Sequence, residues 1–249
     1  MVILKLPEEI EKLRASNLIV AEILAQLREK VKPGVTTREL DLFSEELTRK
    51  NRVIPAFKGY RGYPFALCTS VNEEVVHGMP SERPLVSGDI LSMDFGVIYK
   101  GYYGDAAITV PVGKVSKTAE RLMKVTEQGL FQGIEQARAG NRLGDVSSSV
   151  QKRVEAEGFS VVRDFVGHGI GRNMHEDPQI PNYGMAGRGI QLKPGMVLAI
   201  EPMVNAGGYG VRILPDGWTV VTEDGSLSAH FEHSVAITDN GPEILSRIE

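Results

Sequence analysis

The sequence predicts an α+β fold in which helices lie on the outer side of a curved antiparallel sheet and the chain forms two similar halves. A long helical pattern, a glycine, a short helical pattern and then β segments follow one another twice. The two glycines, Gly34 and Gly140, lie 106 positions apart (140 − 34). No Pro/Ser-rich linker or low-complexity tract interrupts the chain. We therefore expect a single domain, residues 1–249, with a weak repeat of roughly 7–110 and 116–240.

In the first half, Pro7 followed by two glutamates favours a helix start, because proline suits the first helical position and acids suit the first turn. Pro33-Gly34 ends this helix. Thr36 and Glu39 have the spacing of a capping box, which predicts a second helix. A strand is expected at Ala66–Val71, after a loop rich in glycine, proline and tyrosine.

In the second half, a long helical pattern from about Ser116 ends near Gly140, and a shorter one follows with valines on one face. The β segments expected after them are Gly167-His168-Gly169, a strand at Met196–Met203, and a hairpin from Trp218 to Thr238 that turns at Asp224-Gly225.

Two aspartates, Asp94 and Asp105, lie in strands that flank the turn Tyr99-Lys100-Gly101. If Tyr99 and Lys100 form the loop, the aspartates face each other directly; if Lys100 and Gly101 form it, they are diagonal neighbours. They share a face in both registers, because side chains alternate with period two. Like charges destabilise such a pair. Either both carboxylates lie in water on a surface hairpin, or shared protons, a basic partner or a cation neutralise them.

Two further carboxylates, Glu201 and Glu232, interrupt apolar runs that contain no lysine or arginine. Each alone could be a surface residue, but four converging carboxylates would require protons or cations. His168 lies between two glycines, which allow another backbone or a ligand to approach closely. A lone histidine is more often structural than a ligand. Together with four carboxylates, it indicates two divalent ions that share ligands and activate a water molecule.

The composition excludes several classes of protein. A net charge of −4 and a pI near 5.8 disfavour a nucleic-acid-binding surface. No run of apolar residues is long enough for a transmembrane helix, and the early acidic residues do not suit a signal peptide. The single cysteine excludes an internal disulfide and fits a reducing compartment, so the cytoplasm is expected.

Other catalytic motifs are absent from the sequence or incomplete. His175-Glu176 begins like a His-Glu-x-x-His zinc motif, but Gln179 stands where the second histidine is needed. No Gly-x-Ser-x-Gly nucleophile elbow occurs. Cys68, in an apolar strand, suits a small core residue better than a nucleophile.

Six motifs, in order along almost the whole chain, resemble those of type I methionine aminopeptidases in their short bacterial form. They are Asn72-Glu-x-Val-x-His77-Gly, Asp94 with Gly-x-x-x-Asp105, Gly-His168-Gly-Ile-Gly, His175-Glu-x-Pro, Ile-Glu201-Pro and His-Phe-Glu232-His. The resemblance implies the pita-bread fold, whose pseudo-twofold halves agree with the helix repeat. It also implies removal of the N-terminal methionine from peptides and nascent chains, with a small second residue preferred, by a hydroxide held between two metal ions.

The resemblance assigns two divalent ions per subunit, which could be cobalt, manganese, iron or zinc. It implies five metal ligands: Asp94, Asp105, His168, Glu201 and Glu232. Asp94 would bind one ion, His168 and Glu201 the other, and the remaining two carboxylates both. Glu201 would also carry a proton to the leaving amine. His230 and His233, on either side of Glu232, are expected to support the site from behind or to lie at the surface.

His77 and His175 would be the imidazoles that face the substrate, His175 at the oxyanion and His77 at the scissile amide. The pocket for the methionine side chain would consist of Phe57, Tyr60, Tyr63, Cys68, Met174 and Trp218. For the aromatic members, ordinary packing is the alternative. A monomer, in transient contact with the ribosome but with no specific nucleic acid or membrane, is the expected state.

Two rival functions exist on the same fold. Proline-specific peptidases carry an additional N-terminal domain, for which the roughly 75 residues before His77 leave no room. Non-catalytic pita-bread modules bind other proteins and typically lose metal ligands, whereas all five positions carry a ligand-type residue here.

Overall fold

The computed structural model describes residues 1–248, and within this range the chain forms four α-helices, one short 3₁₀ helix (Tyr60–Gly62) and fifteen strands. The helices are α1 (Pro7–Lys30), α2 (Thr37–Asn51), α3 (Lys117–Gln136) and α4 (Leu143–Glu155). The strands are β1 (Ile54–Pro55), β2 (Leu67–Val71), β3 (Glu74–Val76), β4 (Ile90–Tyr99), β5 (Tyr102–Pro111), β6 (Ser160–Val161), β7 (Gly167–Gly169), β8 (Glu176–Ile180), β9 (Val197–Ile200), β10 (Met203–Asn205), β11 (Val211–Ile213), β12 (Val220–Thr222), β13 (Ser228–His230), β14 (Glu232–Thr238) and β15 (Gly241–Ile244).

The two joints, one between α1 and α2 and one between α3 and α4, have similar backbone conformations. Gly34 and Gly140 both have φ +93°, a left-handed conformation that glycine adopts without strain. Two positions later, the backbone N–H of Thr36 donates to the Glu39 carboxylate over 2.7 Å, and that of Arg142 donates to Asp145 over the same distance. Equivalent sequence positions therefore build equivalent helix starts in both halves.

The main sheet is antiparallel, with the strand order β1-β4-β5-β14-β9-β7-β8; β2 also pairs with β4, and β15 pairs with β14. In the β4–β5 hairpin, Tyr99 pairs with Tyr102, so Lys100 and Gly101 form the two-residue loop. Both loop residues have positive φ, as a type I′ turn requires. This is the second of the two predicted registers, and Asp94 and Asp105 are diagonal neighbours on one face.

Each pair of helices covers its own part of the sheet. Leucines and valines of α1 and α2 pack with β2, β4 and β5 in one buried core, and α3 and α4 pack with strands of the second half in another. These cores are apolar and tightly buried, so the polar residues described below are held on a rigid frame. Within residues 1–248, no helix combines the length and apolar character that crossing a membrane requires.

Two sequence predictions for the second half are wrong. The run Met196–Met203 is not one strand, because Pro202 cannot donate a ladder hydrogen bond and separates β9 from β10. The chain does turn at Asp224-Gly225, but its two arms do not pair as a hairpin. β12 pairs with β11 and β3, whereas β13 pairs with β10. Turn residues indicate that the chain reverses, but not which strand edge is free to accept each arm.

Candidate metal centre

All thirteen residues predicted to ligate metal, face the substrate or form the pocket line a single cavity. They are Phe57, Tyr60, Tyr63, Cys68, His77, Asp94, Asp105, His168, Met174, His175, Glu201, Trp218 and Glu232. They come from both halves and from strands that are far apart in the sequence.

The two aspartates are placed by the β4–β5 hairpin and by helix α1 behind it. Gly104 allows the helix to approach, because a Cβ at this position would lie 2.6 Å from the backbone of Ser16. Asn17, completely buried on the helix, accepts a hydrogen bond from the backbone N–H of Asp105 over 3.1 Å. Asp94 lies opposite Cys68 of β2. The register and this anchor together direct both carboxylates into the cavity.

His168 occupies the middle of the short strand β7, between β8 and β9. Its flanking glycines are required by close packing: a Cβ at Gly167 would lie 2.3 Å from the Ala199 carbonyl, and one at Gly169 would lie 2.2 Å from the Asp177 carbonyl. The His168 Nδ1 is 2.9 Å from the Gly169 carbonyl oxygen. An N–H donated there leaves Nε2 unprotonated and able to bind a metal.

The second half also supplies Glu201 and Glu232. Glu201 directly follows β9, and its Oε1 is 3.4 Å from the His168 Nε2. Glu232 opens β14, where it pairs with Ala107 of β5 and so joins the two halves at the cavity. The nearest ligand atoms of Asp105, His168 and Glu232 all lie within 4.8 Å of one another.

The donor set fits divalent cations. Asp94, Asp105 and Glu232 each have a buried carboxylate oxygen without a hydrogen-bond partner. Among residues 1–248, no lysine or arginine nitrogen lies within ion-pair distance of these carboxylates or of Glu201. Buried, unpaired carboxylates are costly, and oxygen-rich sites with one imidazole suit hard or borderline divalent ions.

In the metal-free protein, burial and the mutual repulsion of the carboxylates determine the pKa values in the cluster. Burial raises the pKa of Asp94 to about 7. Burial, followed by repulsion from neighbouring carboxylates, raises the pKa values of Asp105, Glu201 and Glu232 well above their usual range. Burial also lowers the pKa of His168 to about 4, so its imidazole is neutral near pH 7. A neutral imidazole is the form that binds metals.

Two more imidazoles border the cavity. His77 has φ +58°, an uncommon conformation for a side chain of its size, and such backbone strain concentrates at functional sites. Its ring meets those of Phe165 and Trp218 edge to face, with centroids 5.8 and 6.4 Å away. His175 is exposed at the cavity mouth, and its Nδ1 lies 2.9 Å from the Tyr60 hydroxyl.

The remaining predicted residues form an apolar pocket beside the carboxylates. Tyr63, Cys68 and Met174 are buried in one cluster with Phe57, and Trp218 packs edge to face on Tyr63 with centroids 5.2 Å apart. The Tyr63 hydroxyl donates to backbone carbonyls, including that of Gly78 over 3.0 Å. Its ring therefore presents only apolar surface to the cavity.

Sequence reasoning missed several residues. Arg61, Val76, Phe165 and Met203 also line the cavity, although no motif marks them. For His230 the sequence left two places open, behind the site or at the surface, and the structure shows the first: it is buried, and its Nε2 has no hydrogen-bond partner and lies 3.7 Å from the Glu201 Oε2. The signal available in the sequence was the spacing: His230 is two positions before Glu232, and in an extended segment residues two positions apart lie on the same face.

Comparison with known proteins gives a consistent family. The sequence profile of metallopeptidase family M24 matches residues 11–239. A methionine aminopeptidase of Clostridium perfringens is 56% identical over 249 residues, which cover 100% of both chains. The crystal structure of a methionine aminopeptidase from Thermotoga maritima superposes with a TM-score of 0.98 at 51% identity, and again 100% of both chains is covered.

A more distant neighbour shares the architecture alone. Prolidase from Pyrococcus furiosus has a TM-score of 0.79 at 24% identity, and the match covers 99% of this chain but 66% of that one. The curved antiparallel sheet with outer helices is therefore the pita-bread fold that the sequence predicted.

Proposed function

The chain belongs to metallopeptidase family M24 and, within it, to the methionine aminopeptidases, and we propose that it hydrolyses the bond after an N-terminal methionine in peptides and nascent proteins. The observation that carries this proposal is the cluster of four carboxylates and His168 beside an apolar pocket in one cavity. The cluster provides for hydrolysis, and the pocket provides for recognition of an unbranched apolar side chain.

Asp94, Asp105, His168, Glu201 and Glu232 would hold two divalent ions. The unpartnered carboxylate oxygens and the neutral imidazole support this assignment. Two such metal ions would supply a water molecule whose pKa is near neutrality, and they would polarise the peptide carbonyl. The sequence and the donor set leave cobalt, manganese, iron and zinc open.

The protein's own side chains would then orient the substrate and move protons. Glu201 would accept a proton and pass it to the leaving amine, a role supported by its position with one oxygen toward His168 and the other toward His230. His175 at the mouth would donate a hydrogen bond to the oxyanion, and His77 would hold the scissile amide. Negative charge at Asp94 would favour a free α-amine, which restricts the reaction to the first residue.

Recognition of methionine would come from the apolar pocket. The rings of Phe57, Tyr63 and Trp218 exclude water, and the thioether of Met174 and thiol of Cys68 are polarisable groups of the kind that pack well on another thioether. Each methylene contributes only about 1–3 kcal/mol of discrimination.

We propose that the enzyme acts as a cytoplasmic monomer made of one domain, residues 1–249, that prefers a small second residue and contacts the ribosome transiently.

The direct test is metal-dependent release of methionine from Met-Ala-Ser by metal-loaded protein. Asp94→Asn and Glu232→Gln should each reduce release by at least 10³-fold, because each removes a charged ligand. Glu157→Gln, which neutralises a partly exposed carboxylate that pairs with Arg153 outside the cavity, is the matched control and should release methionine as wild type does. Near-normal turnover by either ligand variant would refute the assignment of the ligands.

The rivals are separated by substrate. A proline-specific peptidase would release the first residue from Ala-Pro-Ser faster than from Met-Ala-Ser. A non-catalytic module would bind methionyl peptides with no turnover at any metal concentration.

A further inference from the structure

A buried ion pair joins the first residues of the chain to the loop that carries His175. Lys5 Nζ lies 2.6 Å from Glu176 Oε2, and the two side chains are only 4% and 5% exposed. The partners are 171 positions apart. Lys5 also donates its backbone N–H to the Gly195 carbonyl over 2.7 Å and its Nζ to the Ile3 carbonyl over 3.0 Å. The lysine is therefore fixed at both its backbone and its side chain.

Glu176 uses its other oxygen to close the loop. Its Oε1 accepts the backbone N–H of Asn173 over 3.1 Å, so Met174 and His175 lie between two residues joined by this hydrogen bond. Gly171 makes room for the arrangement, since a Cβ there would be 2.7 Å from both Glu176 Oε1 and Lys5 Cε. The carboxylate of Glu176 is thus the centre of a clamp with the N-terminal segment on one side and the loop on the other.

The His175 side chain needs such a clamp because it is exposed. Among residues 1–248, its ring contacts only two other rings, that of Tyr60 with centroids 5.5 Å apart and that of His168 with centroids 4.3 Å apart. Its one side-chain hydrogen bond is with Tyr60, which is itself partly exposed. Its orientation depends on the backbone of the loop. A displacement of about 1 Å at a reacting group can cost 10²-fold in rate.

We propose that the Lys5–Glu176 pair positions His175, so that residues 1–6 are a working part of the active site although they touch no substrate. This rests on the proposed function of His175. Removing Lys5 leaves the buried Glu176 carboxylate without a cation, and an unpaired buried charge strongly destabilises the folded state. The loop must then move to expose Glu176 to water, and it takes His175 with it. Asp94, Asp105 and Glu232 lie on strands that do not pair with β8. His168 lies on β7, which pairs with β8 on one side but is also held by β9 on the other, so we expect the ligands to keep their places.

The test compares Lys5→Met, the double variant Lys5→Met/Glu176→Gln and Val150→Ala, each with its metal content measured. Val150→Ala removes core packing between α3 and α4, away from the loop. It is the control for a loss of thermal stability that leaves the Lys5–Glu176 pair intact. We expect Lys5→Met to lower kcat on Met-Ala-Ser at least 10-fold, with KM within about threefold and metal content unchanged. The double variant buries no charge, so it folds, and its kcat should lie between that of Lys5→Met and wild type. Val150→Ala should keep wild-type kcat.

A second readout does not require turnover. In ¹H–¹⁵N spectra of the imidazoles, the His175 resonances should shift or broaden in Lys5→Met, whereas those of the buried His230 should stay unchanged. If wild type released no methionine but the His175 signals moved, the proposed function would fail and the positioning role would stand. Wild-type kcat in either Lys5 variant, or unmoved His175 signals, would overturn the inference.

Discussion

In the N-terminal half, α1, Gly34 and α2 precede the hairpin that carries Asp94 and Asp105. In the C-terminal half, α3, Gly140 and α4 precede the strands that carry His168 and the two glutamates. The joints between the helices agree in their φ angle and in the acidic side chain that accepts the N-cap backbone N–H, but the chemistry placed beyond them differs. The first half supplies only carboxylates as candidate ligands, and the second also supplies an imidazole. Two similar sets of helices can thus support an asymmetric site. The helix joints depend on a few residues that set the backbone conformation, whereas the site depends on a few side chains that can differ between the halves.

The largest expected effect tests whether the histidines differ in role, with His168 as a metal ligand and His77 and His175 as substrate-facing groups. His168→Ala should lower metal affinity by more than the roughly 10–100-fold that the loss of an outer partner of a ligand costs. His77→Ala and His175→Ala, one from each half, should keep their metals and lose about 10²–10³-fold in kcat, as expected for a lost hydrogen bond to developing charge. Calorimetric metal titration and steady-state kinetics on the same samples separate the two classes. Metal loss in His175→Ala, whose ring centroid is 4.3 Å from that of His168, would mean that the imidazole roles are misassigned.

The next effect concerns the charge shared by the two halves. In metal-free protein, carboxyl groups from both halves have raised pKa values: burial raises that of Asp94 to about 7, and burial with repulsion between the carboxylates raises those of the other three well above their usual range. The folded state therefore binds more protons than the unfolded state from about pH 4 upward, and this contribution to stability declines as pH rises through the folded pKa values. The buried histidines have lowered pKa values, about 4 at His168 and His77, and oppose this trend only below about pH 6.5.

Between pH 6.5 and 8 the carboxyl groups make the main difference in bound protons between the two states, and the buried Cys68, whose pKa is raised by burial, adds to it in the same direction near pH 8. We expect the melting temperature of metal-free protein to fall between pH 6.5 and 8, and the increase on adding metal to grow over the same interval, because metals bind the deprotonated ligands. Calorimetric scans with and without metal measure both trends. A melting temperature of metal-free protein that rises over this interval would show that the carboxylates are not buried together.

The smallest effect sharpens the comparison of the frames. Gly34→Ala and Gly140→Ala should each lower the free energy of unfolding by about 1–2 kcal/mol, because alanine is strained at positive φ. No heavy atom lies within 4 Å of a Cβ at either position, so a clash adds nothing. Urea unfolding at saturating metal measures the cost, and methionine release should not change. Clearly unequal costs would mean that the two joints are not energetically equivalent.

Local signals predicted much of the frame. The capping box at Thr36 and the proline at Pro7 are short-range devices, and the helices begin where these residues predicted. The four carboxylates were also marked individually, since charged residues in apolar strands need partners, whereas His77, His175 and the pocket residues were implied only by the resemblance to methionine aminopeptidases. Their assignment as ligands remains a prediction, but their convergence in one cavity is an observation.

Pairing between distant segments was much harder to predict. The turn at Asp224-Gly225 is local and correct, while the strands it joins belong to different sheets, because pairing depends on which edges are free after folding. His230 could not be separated from His233 by composition. Because side chains alternate between the two faces along β13 and β14, His230 is buried beside Glu201, whereas His233 points to the other face and contacts Ser246.

The sequence by itself determined the class of fold, the helix starts, the turn residues and the set of candidate ligands, because each depends on neighbours a few positions away. Only the tertiary structure decided the hairpin register that places Asp94 and Asp105 diagonally, and the meeting of Lys5 with Glu176. The register depends on which two residues form the turn, and the sequence left two choices open. The Lys5–Glu176 contact joins residues 171 positions apart, which meet only once the apolar faces of the chain are buried.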